Sequence, residues 1–148
     1  MIYTELTKRS LALCFHAHDG QVDKSGLPYV FHPFHLAEQM QDEISVAVAL
    51  LHDVVEDTDY TVSDLKNMGF PPQVTDAIAV MTHDKSVPYL EYVRAIRSNP
   101  VARTVKLADL RHNSDLTRLN HVDVEALERL EKYKMAIDIL VDKTEVVK

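Results

Sequence analysis

Residues 44–51 read Ile-Ser-Val-Ala-Val-Ala-Leu-Leu, and His52 and Asp53 follow directly. A segment from about Glu43 to Val55 that is apolar nearly all round predicts a helix covered on every side by the rest of the chain. Such a helix carries a problem to its end, because an ionised carboxylate buried at Asp53 is strongly unfavourable without a cation beside it. His52 offers a nitrogen, but neighbouring helical side chains point about 100° apart. Further partners must therefore converge from distant segments.

The rest of the chain reads as helices arranged to cover that segment. Glycine occurs only at 20, 26 and 69, and few stretches alternate with strand period, so the expected fold class is all-α, a compact multi-helix bundle. A first helix over about Thr4 to His18 presents Leu6, Leu11, Leu13 and Phe15 as one broad apolar face. The segment from Asp19 to Phe31, with Gly20, Ser25, Gly26 and Pro28, predicts a loop or short hairpin. Pro33 suits the first turn of a helix and biases His32 away from helical angles, which puts His32 at the mouth of a short helix running to about Met40. Thr61 with Asp64 makes a capping box, and Gly69 stops the helix that it opens. Pro71-Pro72 starts another helix through about Thr82, and Pro88 the next. Asn99-Pro100 is a cap and first-turn pair for a helix through Leu110, and a last amphipathic helix spans about Asp123 to Val141.

At 148 residues, 46% hydrophobic and 26% charged, the composition is that of one ordinary globular domain, expected over 1–148. A net charge of −7, from 23 acidic and 16 basic side chains, disfavours extended nucleic acid as a partner. Cys14 is the single cysteine and lies in an apolar stretch, so it is expected to pack as a small hydrophobe, which suits a reducing cytoplasm. Residues 1–9 lack the apolar core of a signal peptide, and no stretch has the roughly 18 apolar residues of a membrane span. Nothing here predicts the oligomeric state.

Two more polar residues lie among apolar neighbours, as Asp53 does: His32 in Tyr29-Val30-Phe31-His32-Pro33, and Asp109 in Val105-Lys106-Leu107-Ala108-Asp109. Two imidazoles and two carboxylates make a mixed nitrogen and oxygen set suited to Mn²⁺, Fe²⁺ or Zn²⁺, a choice that spacing alone leaves open. Glu56 lies four residues after His52, and Asp57 four after Asp53, on adjoining helical stripes that can face the same cavity. Six further histidines, at 16, 18, 35, 83, 112 and 121, are expected in packing or surface positions. Arg103 and Lys106 read equally as phosphate-binding charge and as balance for surface acids.

His32, His52-Asp53 and Asp109, in that order, match the HD-domain pattern. More specifically, residues 20–29 leading into His32-Pro33, then Leu51-His52-Asp53-Val54-Val55-Glu56-Asp57-Thr58, then Val105-Lys106-Leu107-Ala108-Asp109, resemble the hydrolase domain of RelA/SpoT enzymes and the stand-alone small alarmone hydrolases. The resemblance implies a manganese-dependent phosphohydrolase that removes pyrophosphate from the 3′ position of (p)ppGpp, a small nucleotide. It implies His32, His52, Asp53 and Asp109 as metal ligands, Glu56 and Asp57 as the acids that act on the attacking water, and Lys24, Ser25 and Asn113 as substrate contacts. Two positions depart from the family. Asp23 stands where an arginine commonly meets the purine, which implies different base recognition or another side chain such as Arg111. Leu110 stands where arginine usually follows the metal-binding acid. An HD phosphohydrolase for another nucleotide or polyphosphate, and a catalytically idle nucleotide-binding module, are the alternative readings.

Overall fold

In the computed structural model, residues 1–141 are described, so 142–148 of the expected domain lie outside the described residues. The fold is all-α, with helices α1 (Glu5–Ala17), α2 (Phe31–Glu38), α3 (Glu43–Leu51), α4 (Val54–Asp57), α5 (Val62–Asn67), α6 (Pro72–Met81), α7 (Tyr89–Ile96), α8 (Pro100–Asn113) and α9 (Val124–Val141). A short 3-10 turn over Leu116–Arg118 joins α8 to α9.

Helix α3 is the axis of the bundle and packs against α1, α2, α6 and α8. All its residues from Ser45 to Leu51 are buried. Each fully covered Val or Leu there contributes about 1.5–3 kcal/mol. Local chemistry sets the helix ends. Asp42 accepts the amide of Ser45 at the start of α3, Asn99 accepts that of Ala102 at the start of α8, and the Thr61–Asp64 capping box is formed in both directions. Gly69, at φ 88°, terminates the α5 turn in the left-handed region that glycine alone enters freely.

Three expectations need correction. The helix from Glu43 does not run on to Val55. It stops at Leu51 and resumes at Val54, with Asp53 displaced from helical angles at φ −99°, ψ −3°. Helix α2 begins at Phe31, so His32 lies inside its first turn. Pro33 is tolerated there because a first-turn amide has no intrahelical acceptor. Phe15 is 65% exposed, since the face that α1 turns to α3 is Thr7, Ser10, Leu13 and Cys14. The two hydroxyls on that face are satisfied locally, Thr7 donating to the carbonyl of Ile2 at 2.8 Å and Ser10 to that of Leu6 at 2.9 Å. The loop before α2 closes as one antiparallel bridge between Val22 and Pro28.

Candidate metal centre

The interruption between α3 and α4 lets His52 and Asp53 turn to one point instead of diverging. Helix α2 brings His32 to that point and α8 brings Asp109. One ligand atom from each of His32, His52, Asp53 and Asp109 lies within 4.8 Å of the others. His32 Nε2 is 2.8 Å and His52 Nε2 3.6 Å from Asp109 Oδ1, while His52 Nε2 is 3.0 Å from Asp53 Oδ2.

Contacts from outside the cluster orient its four side chains. His52 Nδ1 lies 2.7 Å from the carbonyl oxygen of Ala49, an acceptor only, so that nitrogen carries a proton, and Nε2, the nitrogen turned to the centre, is the one whose lone pair a cation would take in place of a proton. Nε2 is fully buried and has no hydrogen bond of acceptable geometry. His32 Nδ1 pairs with His112 Nδ1 at 2.7 Å. Asp53 Oδ2 accepts the hydroxyl of Tyr29. Asp109 accepts Lys106 Nζ at 2.9 Å on Oδ2 and Asn113 Nδ2 at 3.0 Å on Oδ1. A buried, unpartnered imidazole nitrogen facing two carboxylates and a second imidazole fits a divalent transition metal.

Electrostatics point the same way. Burial opposes a charge on His52, yet Asp53 and Asp109 outweigh it and hold its pKa well above the usual histidine range. Burial likewise opposes ionisation of Asp109, but Lys106 and the two histidines keep its carboxyl well below the usual range. The cluster therefore attracts positive charge. His112, pushed down to about 4 by burial, by Arg118 and by His32, stays neutral beside it.

His32 forms part of the wall of a cavity of about 520 Å³. Lys24, Ser25, Asp57 and Asn113 line that cavity too, so it gathers four of the residues singled out from the sequence around the metal cluster. Burial, then the charge of Asp53, push the Asp57 carboxyl upward. Glu56 is placed differently: its Oε1 accepts the backbone amide of His83 at 3.0 Å. Burial raises its pKa while that amide lowers it.

Several contributors are new. Tyr29, Arg118, Arg129 and Tyr133 line the cavity, whereas Arg111 is exposed and absent from its walls. Lys106, which the sequence left undecided, is the i−3 partner of Asp109, and that spacing was a usable signal. The pairing of His112 with His32 spans 80 residues and had none.

No protein-family model matches the chain. Among curated proteins, it is 37% identical over 115 residues to the human guanosine-3′,5′-bis(diphosphate) 3′-pyrophosphohydrolase MESH1, a match covering 70% of this chain and 64% of the relative. The chain thus spans slightly less than two thirds of that protein. It is 34% identical over 131 residues to the Danio rerio protein of the same name, covering 80% of this chain and 71% of the relative. A solved metazoan ortholog of SpoT, described as hydrolysing ppGpp, superposes with a TM-score of 0.76 at 28% identity, over 95% of this chain and 88% of the other.

Proposed function

The chain belongs to the family of MESH1 and SpoT-like guanosine-3′,5′-bis(diphosphate) 3′-pyrophosphohydrolases, and on that premise we propose that it hydrolyses (p)ppGpp at the ribose 3′ side, with Mn²⁺ held by His32, His52, Asp53 and Asp109. The observation that carries the reading is the convergence of those four ligand atoms within 4.8 Å beside a cavity lined by Lys24, Arg118 and Arg129. We read 1–148 as one domain working in a reducing cytoplasm. Among the described residues no helix is long and apolar enough to cross a membrane.

Bound at the four ligands, a divalent ion supplies Lewis-acid polarisation of phosphoryl oxygen and lowers the proton affinity of the attacking water. The chain's own residues do the rest. The cationic side chains hold the polyanion, with the phosphorus next to the ribose 3′ oxygen toward the cluster. Asp57, in the cavity wall, orients the water and takes its proton as oxygen bonds to phosphorus. The bond from phosphorus to the ribose 3′ oxygen breaks, that oxygen takes up a proton, and GDP or GTP leaves with pyrophosphate. Glu56, held by the His83 amide, is the second acid. Ser25 and Asn113 line the pocket beside the sugar.

The test is product analysis after incubating ppGpp with Mn²⁺-loaded protein. GDP and pyrophosphate in equal amounts are expected, and other products or no turnover would overturn the reading. Hydrolysis of another nucleotide or polyphosphate is the second reading, favoured by the Asp23 carboxylate in the cavity wall. A nucleotide panel separates the two, and turnover of any member excludes an idle binding module.

A further inference from the structure

Asp23 and Arg118 face each other across the cavity wall. Asp23 is committed to its own loop: Oδ1 accepts the amide of Ser25 at 2.9 Å, the hydroxyl of Ser25 at 2.8 Å and the amide of Leu27 at 3.0 Å. Its other oxygen, Oδ2, lies 3.9 Å from Arg118 Nη2, close enough for charge attraction but too long for a hydrogen bond. Arg118 is anchored at the opposite corner of its guanidinium, where Nη1 donates to the carbonyl of His112 at 3.0 Å and to Asn113 Oδ1 at 3.2 Å. Asn113 in turn donates Nδ2 to Asp109 Oδ1 at 3.0 Å. A single amide therefore separates the Arg118 guanidinium from a residue of the metal cluster.

This arrangement holds one edge of a planar cation rigid and leaves Nη2 in the wall of a cavity made for a polyanion. A fixed guanidinium fork is the group best suited to a phosphate, because its donors match two phosphate oxygens and little side-chain freedom remains to be lost. Its place also selects which phosphate. On the hydrolase reading the arm being cleaved lies against the four ligand atoms and the uncleaved arm lies one ribose away, and Arg118 likewise stands outside the cluster, joined to Asp109 through the Asn113 amide. Asp23 Oδ2, 3.9 Å away, aims the fork and offsets part of its charge.

Resting on the hydrolase reading above, we infer that Arg118, aimed by Asp23 and Asn113, is a specificity-determining residue that binds the 5′-phosphates, the arm of the nucleotide that is not cleaved. Arg111 has no part in this, and a cation introduced at 23 would compete with Arg118 instead of adding to it.

The experiment compares ppGpp with guanosine 3′-diphosphate, which has the cleaved arm and lacks the 5′-phosphates, on Mn²⁺-loaded parent, Arg118→Ala and Arg118→Lys. Melting curves and metal content are measured on the same samples. For Arg118→Ala, KM for ppGpp is expected to rise roughly tenfold or more, the scale of a lost charge-assisted hydrogen bond, with kcat changing far less and KM for guanosine 3′-diphosphate moving only slightly. Arg118→Lys, which keeps the charge and loses the fork, should fall between parent and Ala. Asp23→Arg should also raise KM for ppGpp. Equal changes for both compounds in folded, metal-loaded Arg118→Ala, or no change for either, would overturn this inference alone. A parent that hydrolyses neither compound would overturn the hydrolase reading and this inference with it.

Discussion

Tyr29 donates its phenolic hydroxyl to Asp53 Oδ2, tying the loop before α2 to the acid at the break between α3 and α4. That bond holds the carboxylate in the orientation in which it meets His52 Nε2 at 3.0 Å. Outer partners of this kind typically change metal affinity by roughly 10- to 100-fold. Tyr29→Phe keeps the ring and removes only the donor. It is expected to weaken Mn²⁺ binding by about tenfold or more with an unchanged fold, as read by calorimetric titration and circular dichroism. Parental affinity in a folded variant would leave Tyr29 as a wall of the substrate cavity and nothing more.

Asp109 is tied to both the fold and the centre, because Lys106 Nζ sits 2.9 Å from its Oδ2 and both side chains are largely buried. Asp109→Ala removes one partner of a buried pair, a change that costs about 3–5 kcal/mol. It should also abolish the rise in melting temperature that metal produces in the parent. Adding Lys106→Met removes the orphaned charge and should restore part of the stability but none of the metal response. A metal-dependent shift that survives in Asp109→Ala would mean that the ion is held elsewhere.

Features decided by neighbours in sequence were legible before the structure. The Thr61–Asp64 box and the Asn99-Pro100 start of α8 rest on contacts a few residues apart, and the apolar α3 run shows its burial by composition alone. Features decided across the bundle were not. Phe15 looks like core by spacing, but the face of α1 that meets α3 is chosen by packing, and polar Thr7 and Ser10 take it because their hydroxyls close on nearby carbonyls. The break at His52–Asp53 is another case, since no glycine or proline marks a stop there. Arg118 rather than Arg111 lines the cavity because the chain leaves α8 through a 3-10 turn that carries residue 118 back to Asp23.

Cys14 gives a test of the core by titration. It is fully buried, and that burial first, the charge of Asp53 second, push its thiol from 9.0 up to about 12. A folded-state pKa above the unfolded one favours the native chain at low pH: above 9 the unfolded thiol ionises and the native one does not. This contribution is present below pH 9.0 and is lost progressively toward about 12. Its slope approaches roughly 1.4 kcal/mol per pH unit. Urea unfolding of parent and Cys14→Ala across pH 8 to 10.5 should show the parent losing stability faster. Parallel curves would contradict it, as would rapid modification of native Cys14 by a thiol reagent at pH 8.

The two acids after the metal cluster face different surroundings, which separates their roles experimentally. Asp57 lines the cavity, whereas Glu56 Oε1 is engaged with the amide of His83. Asp57→Asn keeps the volume and removes the carboxylate proposed to take the water proton, so the single-turnover rate should fall by roughly 10²-fold or more, the usual scale of general acid–base assistance. Glu56→Gln retains an oxygen for the His83 amide, so the loop between α6 and α7 keeps its anchor and any loss of rate reports charge alone. A fall of about 10²-fold is expected there too, with metal content and melting temperature at parental values in both variants. Single-turnover measurement is needed because slow product release can hide a chemical defect in steady-state kcat. A metal-loaded Asp57→Asn protein that hydrolyses ppGpp at the parental rate would remove Asp57 from the mechanism. If Glu56→Gln alone were slow, the proton acceptor would be Glu56, which would have to turn from the His83 amide toward the substrate.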